Sequence, residues 1–147
     1  MIDYMEMALE EAKKAYLKDE VPVGCVIVYK DKIIAKAHNK REKNKHTYAH
    51  AEMLAIKKAN KKLKSWRLED CDIYITLEPC AMCAGAIMQA RMRTVIYALE
   101  DNKSGALGGS FNLYENNFNH EVIVKKGPLE EESRSLIQSF FQKLRKK

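Results

Sequence analysis

Leu77-Glu78-Pro79-Cys80-Ala81-Met82-Cys83 is the stretch on which the fold of this chain turns. Before it, Cys71 to Leu77 alternates Ile73, Ile75 and Leu77, the period-two pattern of a strand. After it, Cys80 to Ala90 predicts a helix that is apolar almost all round, with Ala81, Ala84, Gly85, Ala86, Ile87 and Met88. Thr94 to Ala98 predicts the next strand, so two strands flank a helix and should pair in parallel through a right-handed crossover. The same stretch places two cysteines three apart in the first turn of that helix, on roughly one face. Backbone N–H groups and the positive end of the helix dipole favour thiolate there.

Outward from this unit the chain keeps alternating. Asp3 followed by Glu6 reads as a capping box, and Met5, Ala8, Leu9, Ala12 and Tyr16 form one stripe of a helix ending near Lys18. Val23 to Tyr29 and Lys32 to His38 predict a hairpin turning at Lys30-Asp31. Asn39 to Tyr48 is polar, basic and aperiodic, a loop leading to His50-Ala51-Glu52 at the head of a helix from about His50 to Lys62. Residues two apart lie about 200° apart on a helix, so His50 and Glu52 can serve one site only if His50 stands at its very start. Leu99 to Ser110, with Gly105, Gly108 and Gly109, predicts a flexible loop, and Glu121 to Lys125 a fifth strand. Gly127-Pro128 precedes a last helix carrying Ile137, Phe140, Phe141 and Leu144. The order α-β-β-α-β-α-β-β-α predicts a layered α/β domain with a mixed sheet, and 147 residues suit one domain over 1–147.

Composition narrows the class. Hydrophobic residues make up 46% and charged residues 31%, ordinary for a globular chain, and no run reaches the ~18 apolar residues of a membrane helix. Met1 to Glu6 has no basic leader, so a cytoplasmic protein without a signal peptide is expected. Cys25 and Cys71 read as buried thiols rather than disulfide partners. The net charge of +6, from 26 Lys and Arg against 20 Asp and Glu, is a weak pointer to a polyanion. Its clusters are more telling: Lys36, Lys40, Arg41, Lys43 and Lys45 ahead of His50, and Lys143, Arg145, Lys146 and Lys147 at the C-terminus. The second cluster would also complement the last helix's dipole, opposite Glu130, Glu131 and Glu132. Phe140 and Phe141 lie about 100° apart, so one of them should reach the surface beside Arg145, as base stacking would require.

The chemistry-bearing residues are His50, Glu52, Cys80 and Cys83. Two sulfurs and one imidazole suit tetrahedral zinc and leave one position for water, the arrangement of a catalytic site. Glu52 is then free for acid/base work on that water. A structural zinc site would want a fourth Cys or His at similar spacing, and Cys25 and Cys71 have no nearby partner. A redox pair would not require His-x-Glu upstream.

His50-Ala51-Glu52 together with Pro79-Cys80-Ala81-Met82-Cys83 resembles the signature of the zinc-dependent nucleoside and nucleobase deaminases. Within that superfamily the chain resembles the bacterial tRNA-specific adenosine deaminases. The matching blocks are Glu20-Val21-Pro22-Val23-Gly24, His38-Asn39, Ala49-His50-Ala51-Glu52, Thr76-Leu77-Glu78-Pro79-Cys80, Ala84-Gly85-Ala86, Asp101, Asn119-His120 and Phe140-Phe141. The resemblance implies a three-layer α/β/α cytidine-deaminase-like domain around a central five-stranded mixed sheet. It implies hydrolytic deamination of the wobble adenosine to inosine in a tRNA anticodon loop by a homodimer, with one zinc per subunit on His50, Cys80 and Cys83. In that scheme water activated by zinc attacks C6 of the adenine, and Glu52 shuttles the proton to the ring and to the leaving ammonia.

By the same resemblance Asn39 and main-chain groups around Ala49 and Leu77 recognise the flipped base. Glu20, Val21, Asp101, Lys103 and Asn119 line the groove, and Phe141 and Arg145 touch the anticodon loop. The chain departs from the family at His46-Thr47-Tyr48, where Asp-Pro-Thr is common, and in a glycine-rich loop, Ser104 to Ser110, about a residue longer than usual. Two other readings compete. One is a deaminase of a free nucleobase or nucleoside, of guanine or cytosine type; the other is a zinc-stabilised RNA-binding module, which leaves Glu52 without a job.

Overall fold

Strands rich in β-branched residues assemble a five-stranded sheet in the order β2-β1-β3-β4-β5 in the computed structural model, which describes residues 2–146. Lys147, one of the expected basic tail, lies outside the described residues. The strands are β1 (Gly24–Tyr29), β2 (Lys32–His38), β3 (Cys71–Leu77), β4 (Thr94–Leu99) and β5 (Ile123–Lys126). The helices are α1 (Ile2–Leu17), α2 (Arg41–Asn44), α3 (Ala51–Leu63), α4 (Ala81–Gln89) and α5 (Glu130–Arg145), with a 3-10 turn at Leu113–Glu115. β1 is antiparallel to β2 and β3, whereas β3, β4 and β5 run parallel, so the sheet is mixed as expected. Among the described residues no helix is long and apolar enough to cross a membrane.

Two-sided burial explains the apolar strand sequences. Cys25, Ile27, Ile73, Ile75 and Val95 face Ala51, Ala55 and Ala59 of α3 and Ala84 and Ile87 of α4. Val26, Val28, Tyr74, Ile96 and Ala98 face Met5 and Ala8 of α1 on the opposite side. Every residue of β4 is buried, so its sequence cannot alternate. Burial of an isoleucine such as Ile73 or Ile75 contributes about 1.5–3 kcal/mol. α5 joins α1 through Phe140, whose ring meets Tyr16 edge-on at 6.2 Å. The result is three layers, α1 and α5 over one face of the sheet and α3 and α4 over the other.

Gly24 sets the distance between α1 and the sheet. A Cβ there would fall inside contact distance of the Ala8 carbonyl and the Ala12 nitrogen, so only glycine lets this helix backbone lie so close.

Four local expectations need correction. Asp3 lies inside the first turn of α1 rather than capping it, where an acidic side chain still meets the positive helix end. The segment Asn39 to Tyr48 contains the helical turn α2, held by the buried Glu20, whose carboxylate accepts the N–H groups of Glu42 at 3.1 Å and Lys43 at 2.9 Å. β5 begins at Ile123 rather than Glu121 and is exposed throughout, an edge strand without the burial that gives a strand a sharp pattern. The glycine-rich loop after β4 is bonded to the protein along its length, as described below.

Candidate active site

The site lies where β3 ends and α3 and α4 begin. His50 is the residue just ahead of α3, with φ −79° and ψ 150°, and Cys80 the residue just ahead of α4, with φ −76° and ψ 178°. Both backbones are extended at these positions, which resolves the angular problem in the sequence: His50 stands outside the helical turn that carries Glu52. The imidazole Nδ1 of His50 lies 3.7 Å from Cys80 Sγ and 3.5 Å from Cys83 Sγ. Neither His50 nor Cys80 caps its helix with a side-chain hydrogen bond, so both side chains turn to the site.

The three donor atoms all lie within 4.8 Å of one another, a set that could hold one metal ion. Their protonation fits a cation. A hydrogen bond from Cys83, with a further one from His50, holds the Cys80 thiol down at about 3, while the same Cys80–Cys83 bond and burial push Cys83 far up. The pair thus carries one thiolate and retains one proton, which a dication of the softness of zinc would displace. Its bond to Cys80 raises His50.

Glu52 is 4% exposed and sits at the floor of the cleft, where burial pushes its carboxyl up to about 7. Asn39 follows β2 and is also buried; its Oδ1 accepts the Ala51 N–H at 2.8 Å, supplying the cap that α3 lacks. No hydrogen bond among the described residues engages its amide nitrogen, which belongs to a residue lining the cleft. Above this floor the cleft opens to about 670 Å³, within the range of small-molecule and nucleotide pockets.

Of the residues singled out from the sequence, Val21, Asn39, His50, Glu52, Leu77, Cys80, Asp101, Lys103, Phe141 and Arg145 line this cleft. Cys83 is buried beneath it. Three others stand apart. Glu20 is spent on capping α2, as described. Ala49 borders a neighbouring cavity, its N–H donating to the His46 carbonyl and its own carbonyl accepting the Lys40 N–H. Asn119 is exposed in the segment before β5 and is not among the cleft residues. His46 and Tyr48, at the departure from the family pattern, stack at 5.1 Å beside the same neighbouring cavity as Ala49.

The basic C-terminus divides. Phe140 is buried, whereas Phe141 is exposed and reaches the cleft with Leu144 and Arg145. Lys143 is instead tied to α1, 4.2 Å above the Tyr16 ring and 3.1 Å from Asp19. Sequence reasoning did not single out Arg41 as a cleft residue, nor Ile137, Leu144 or Glu78. The basic cluster ahead of His50 was the available signal for Arg41. Cys25 and Cys71 are buried free thiols, both raised by burial and Cys71 to about 11, and neither joins the site.

A layered α/β domain with His-x-Glu at one helix start and Pro-Cys-x-x-Cys at the next defines a deaminase. The chain belongs to the MafB19-like deaminase family, whose model matches residues 1–145. It is 50% identical over 145 residues to a tRNA-specific adenosine deaminase of Bacillus subtilis (strain 168), covering 98% of this chain and 90% of the relative. A second tRNA-specific adenosine deaminase, from Aquifex aeolicus (strain VF5), is 48% identical over 143 residues, covering 97% of this chain and 94% of the relative. A structure solved in work on A-to-I editing by tRNA:A34 deaminases at the wobble position superposes with a TM-score of 0.88 at 37% identity. That alignment covers 92% of this chain and 99% of the other.

Proposed function

We propose that this protein hydrolyses the wobble adenosine of a tRNA anticodon loop to inosine, releasing ammonia. The observation that carries the reading is the cleft. Its floor holds a buried carboxylate beside a His-Cys-Cys donor set, and its rim carries Arg41, Lys103, Phe141 and Arg145. A free base needs the floor alone. A looped RNA uses the rim as well, with phosphates on the cations and a base stacked on the exposed ring. The names of the two relatives at 50% and 48% identity favour the same substrate over a free nucleobase or nucleoside.

His50, Cys80 and Cys83 would hold one zinc ion per chain. When bound, zinc supplies a Lewis acid and a water acidified to near ~7. Glu52 does the proton work: it accepts a proton from the attacking water, gives it to the adenine ring nitrogen, and then serves the departing amino group. Burial suits it, because a carboxyl out of bulk water holds a proton near neutral pH instead of losing it at once. The Asn39 amide N–H donates to an acceptor on the base, a role supported by the commitment of its oxygen to Ala51. Phe141 and Arg145 hold the flanking nucleotides at the mouth.

A homodimer fits the outer strip of α4, where Ala81, Met82, Gly85 and Ala86 remain partly exposed and a Cβ on Gly85 would meet nothing within 4 Å. A cytoplasmic site of action accords with a tRNA substrate.

The test pairs wild-type protein with Glu52→Ala, both assayed for zinc content and for inosine formation in an anticodon stem-loop. An active wild type and an inactive variant that still holds one zinc per chain support the reading. A variant as active as wild type, or a wild type that binds the stem-loop without forming inosine, overturns it. A stable monomer in light scattering at micromolar concentration would overturn the dimer.

A further inference from the structure

Glu78 has no part in the chemistry above, yet it is 2% exposed and carries a carboxylate. A buried carboxylate survives only with partners, and among the described residues those partners come from the loop after β4. Oε1 accepts the N–H of Asp101 at 3.0 Å; Oε2 accepts those of Leu107 at 2.8 Å and Gly109 at 2.9 Å. The next residue adds a fourth tie, the Pro79 carbonyl accepting from Ala106 at 2.9 Å.

Two of the three glycines of this loop, Gly105 and Gly109, make room for the same carboxylate and for the Asp101 carbonyl, whereas Gly108 adopts a φ of +126° with open space around it. A Cβ on Gly105 or on Gly109 would come within 2.5 Å of Glu78 Oε1. These two glycines therefore serve close packing against the Asp101 carbonyl and the Glu78 side chain rather than flexibility.

The bonds pass outward to the cleft. Asp101, fixed through its N–H, uses Oδ1 to accept the N–H of Lys103 at 3.0 Å and of Ser104 at 3.2 Å. That turn presents the exposed Lys103 at the rim, with Asp101 beside it. Glu78 also lies between Leu77, on the cleft wall, and Pro79-Cys80, so one peptide segment joins the metal-ligand helix to the rim.

We propose that Glu78 is a positioning residue for RNA binding: it fixes the 101–109 loop so that Lys103 meets the phosphate backbone, and leaves the chemical step alone. This rests on the RNA reading above. Substitution by glutamine tests it. One amide oxygen can still accept from Leu107 and Gly109, but the amide nitrogen then faces the Asp101 N–H donor to donor, and the Lys103 turn is released.

The experiment is single-turnover deamination of an anticodon stem-loop across a range of enzyme concentrations and salt, with zinc quantified. The proteins are wild type, Glu78→Gln, Lys103→Ala and the double variant. Glu78→Gln is expected to raise the half-saturating concentration about tenfold, the scale of one charged contact, with the maximal rate within about threefold and zinc at one per chain. Both single variants should flatten the log–log salt slope by about 0.7, one phosphate contact. The double variant should bind no worse than Glu78→Gln, because the lysine acts through the loop that Glu78 holds.

Multiplying effects in the double variant, a loss confined to the maximal rate, or loss of zinc would overturn the proposal. If Glu78→Gln fails to fold, Gly109→Ala, whose Cβ presses on both the Glu78 carboxylate and the carbonyl of the Asp101 it anchors, must give the same rise in half-saturating concentration; an unchanged value overturns the proposal. A wild type inactive on the stem-loop overturns the RNA reading and this inference with it. An active wild type with an unaffected Glu78→Gln overturns the inference alone.

Discussion

Asn39→Ala and Asn39→Asp should separate the two ends of one side chain. The oxygen accepts the Ala51 N–H at 2.8 Å in a buried place at the head of α3, and the amide nitrogen, which no hydrogen bond among the described residues engages, is the donor proposed for the base. Alanine removes both. An orphaned buried N–H costs about 1–3 kcal/mol, and in a domain of this size each kcal/mol lowers Tm by roughly 2–4 °C, so Asn39→Ala should melt roughly 3–10 °C below wild type. Aspartate keeps an acceptor for Ala51, and a carboxylate is favourable at a helix N-terminus, so its Tm should stay within about 3 °C. Both variants lose the donor to the base, and kcat/KM on the stem-loop should fall about 10- to 100-fold in each. The assays are thermal melting of zinc-loaded protein and single-turnover deamination. The reasoning is refuted if Asn39→Asp melts as low as Asn39→Ala, or if either variant keeps wild-type kcat/KM.

Three further outcomes follow from other parts of the fold. Phe141→Ala should weaken stem-loop binding by about 1–3 kcal/mol in a titration, the scale of a lost base–aromatic stack. Its Tm should fall by no more than about 4 °C, because the ring is 40% exposed and its protein packing is an edge contact with Phe140 at 5.3 Å. Gly24→Ala should destabilise the chain by about 1–3 kcal/mol in urea unfolding at unchanged m, since its Cβ enters the backbone of α1. Stability should fall on acidification through the buried His38–Glu11 pair, joined at 2.9 Å. Burial holds His38 below its ordinary 6.5; Glu11, though raised by burial, is held below 4.5 by its bonds to Lys14 and His38. The unfolded chain therefore binds more protons: the stabilisation is complete above about pH 6.5 and is lost progressively below it, first through His38 and then below 4.5 through Glu11. The buried Glu52, raised to about 7, takes up protons over the same range with the opposite sign. The test is therefore the difference from a His38→Asn variant: the Tm advantage of wild type should shrink from pH 7 to pH 5, and an advantage that grows would contradict this.

Much of the architecture was legible because it rests on local pattern. Ile73, Ile75 and Leu77 mark β3 by alternation, and the apolar run of α4 between β3 and β4 implies a parallel pair. The donor set was legible because the helix starts that orient His50 and Cys80 are themselves sequence features. What escaped was carried by side-chain-to-backbone bonds across long separations, which leave no period. Glu20 reads as a groove residue but caps α2, and Glu78 reads as part of a motif but holds a loop more than twenty residues away. Gly105 and Gly109 suggested flexibility because a glycine that makes room for a neighbour looks the same in sequence as one that bends. The parallel pairing of β5 with β4 was invisible for a related reason: the connection through residues 100–122 is irregular, with only a 3-10 turn where a crossover helix would signal it.

The most direct measurement is single-turnover deamination by zinc-quantified wild-type protein of an adenosine-containing anticodon stem-loop, with free adenosine, guanine and cytidine in parallel. Inosine should form in the stem-loop, with negligible turnover of the free compounds. Efficient turnover of a free base or nucleoside, with none of the stem-loop, would contradict the tRNA reading.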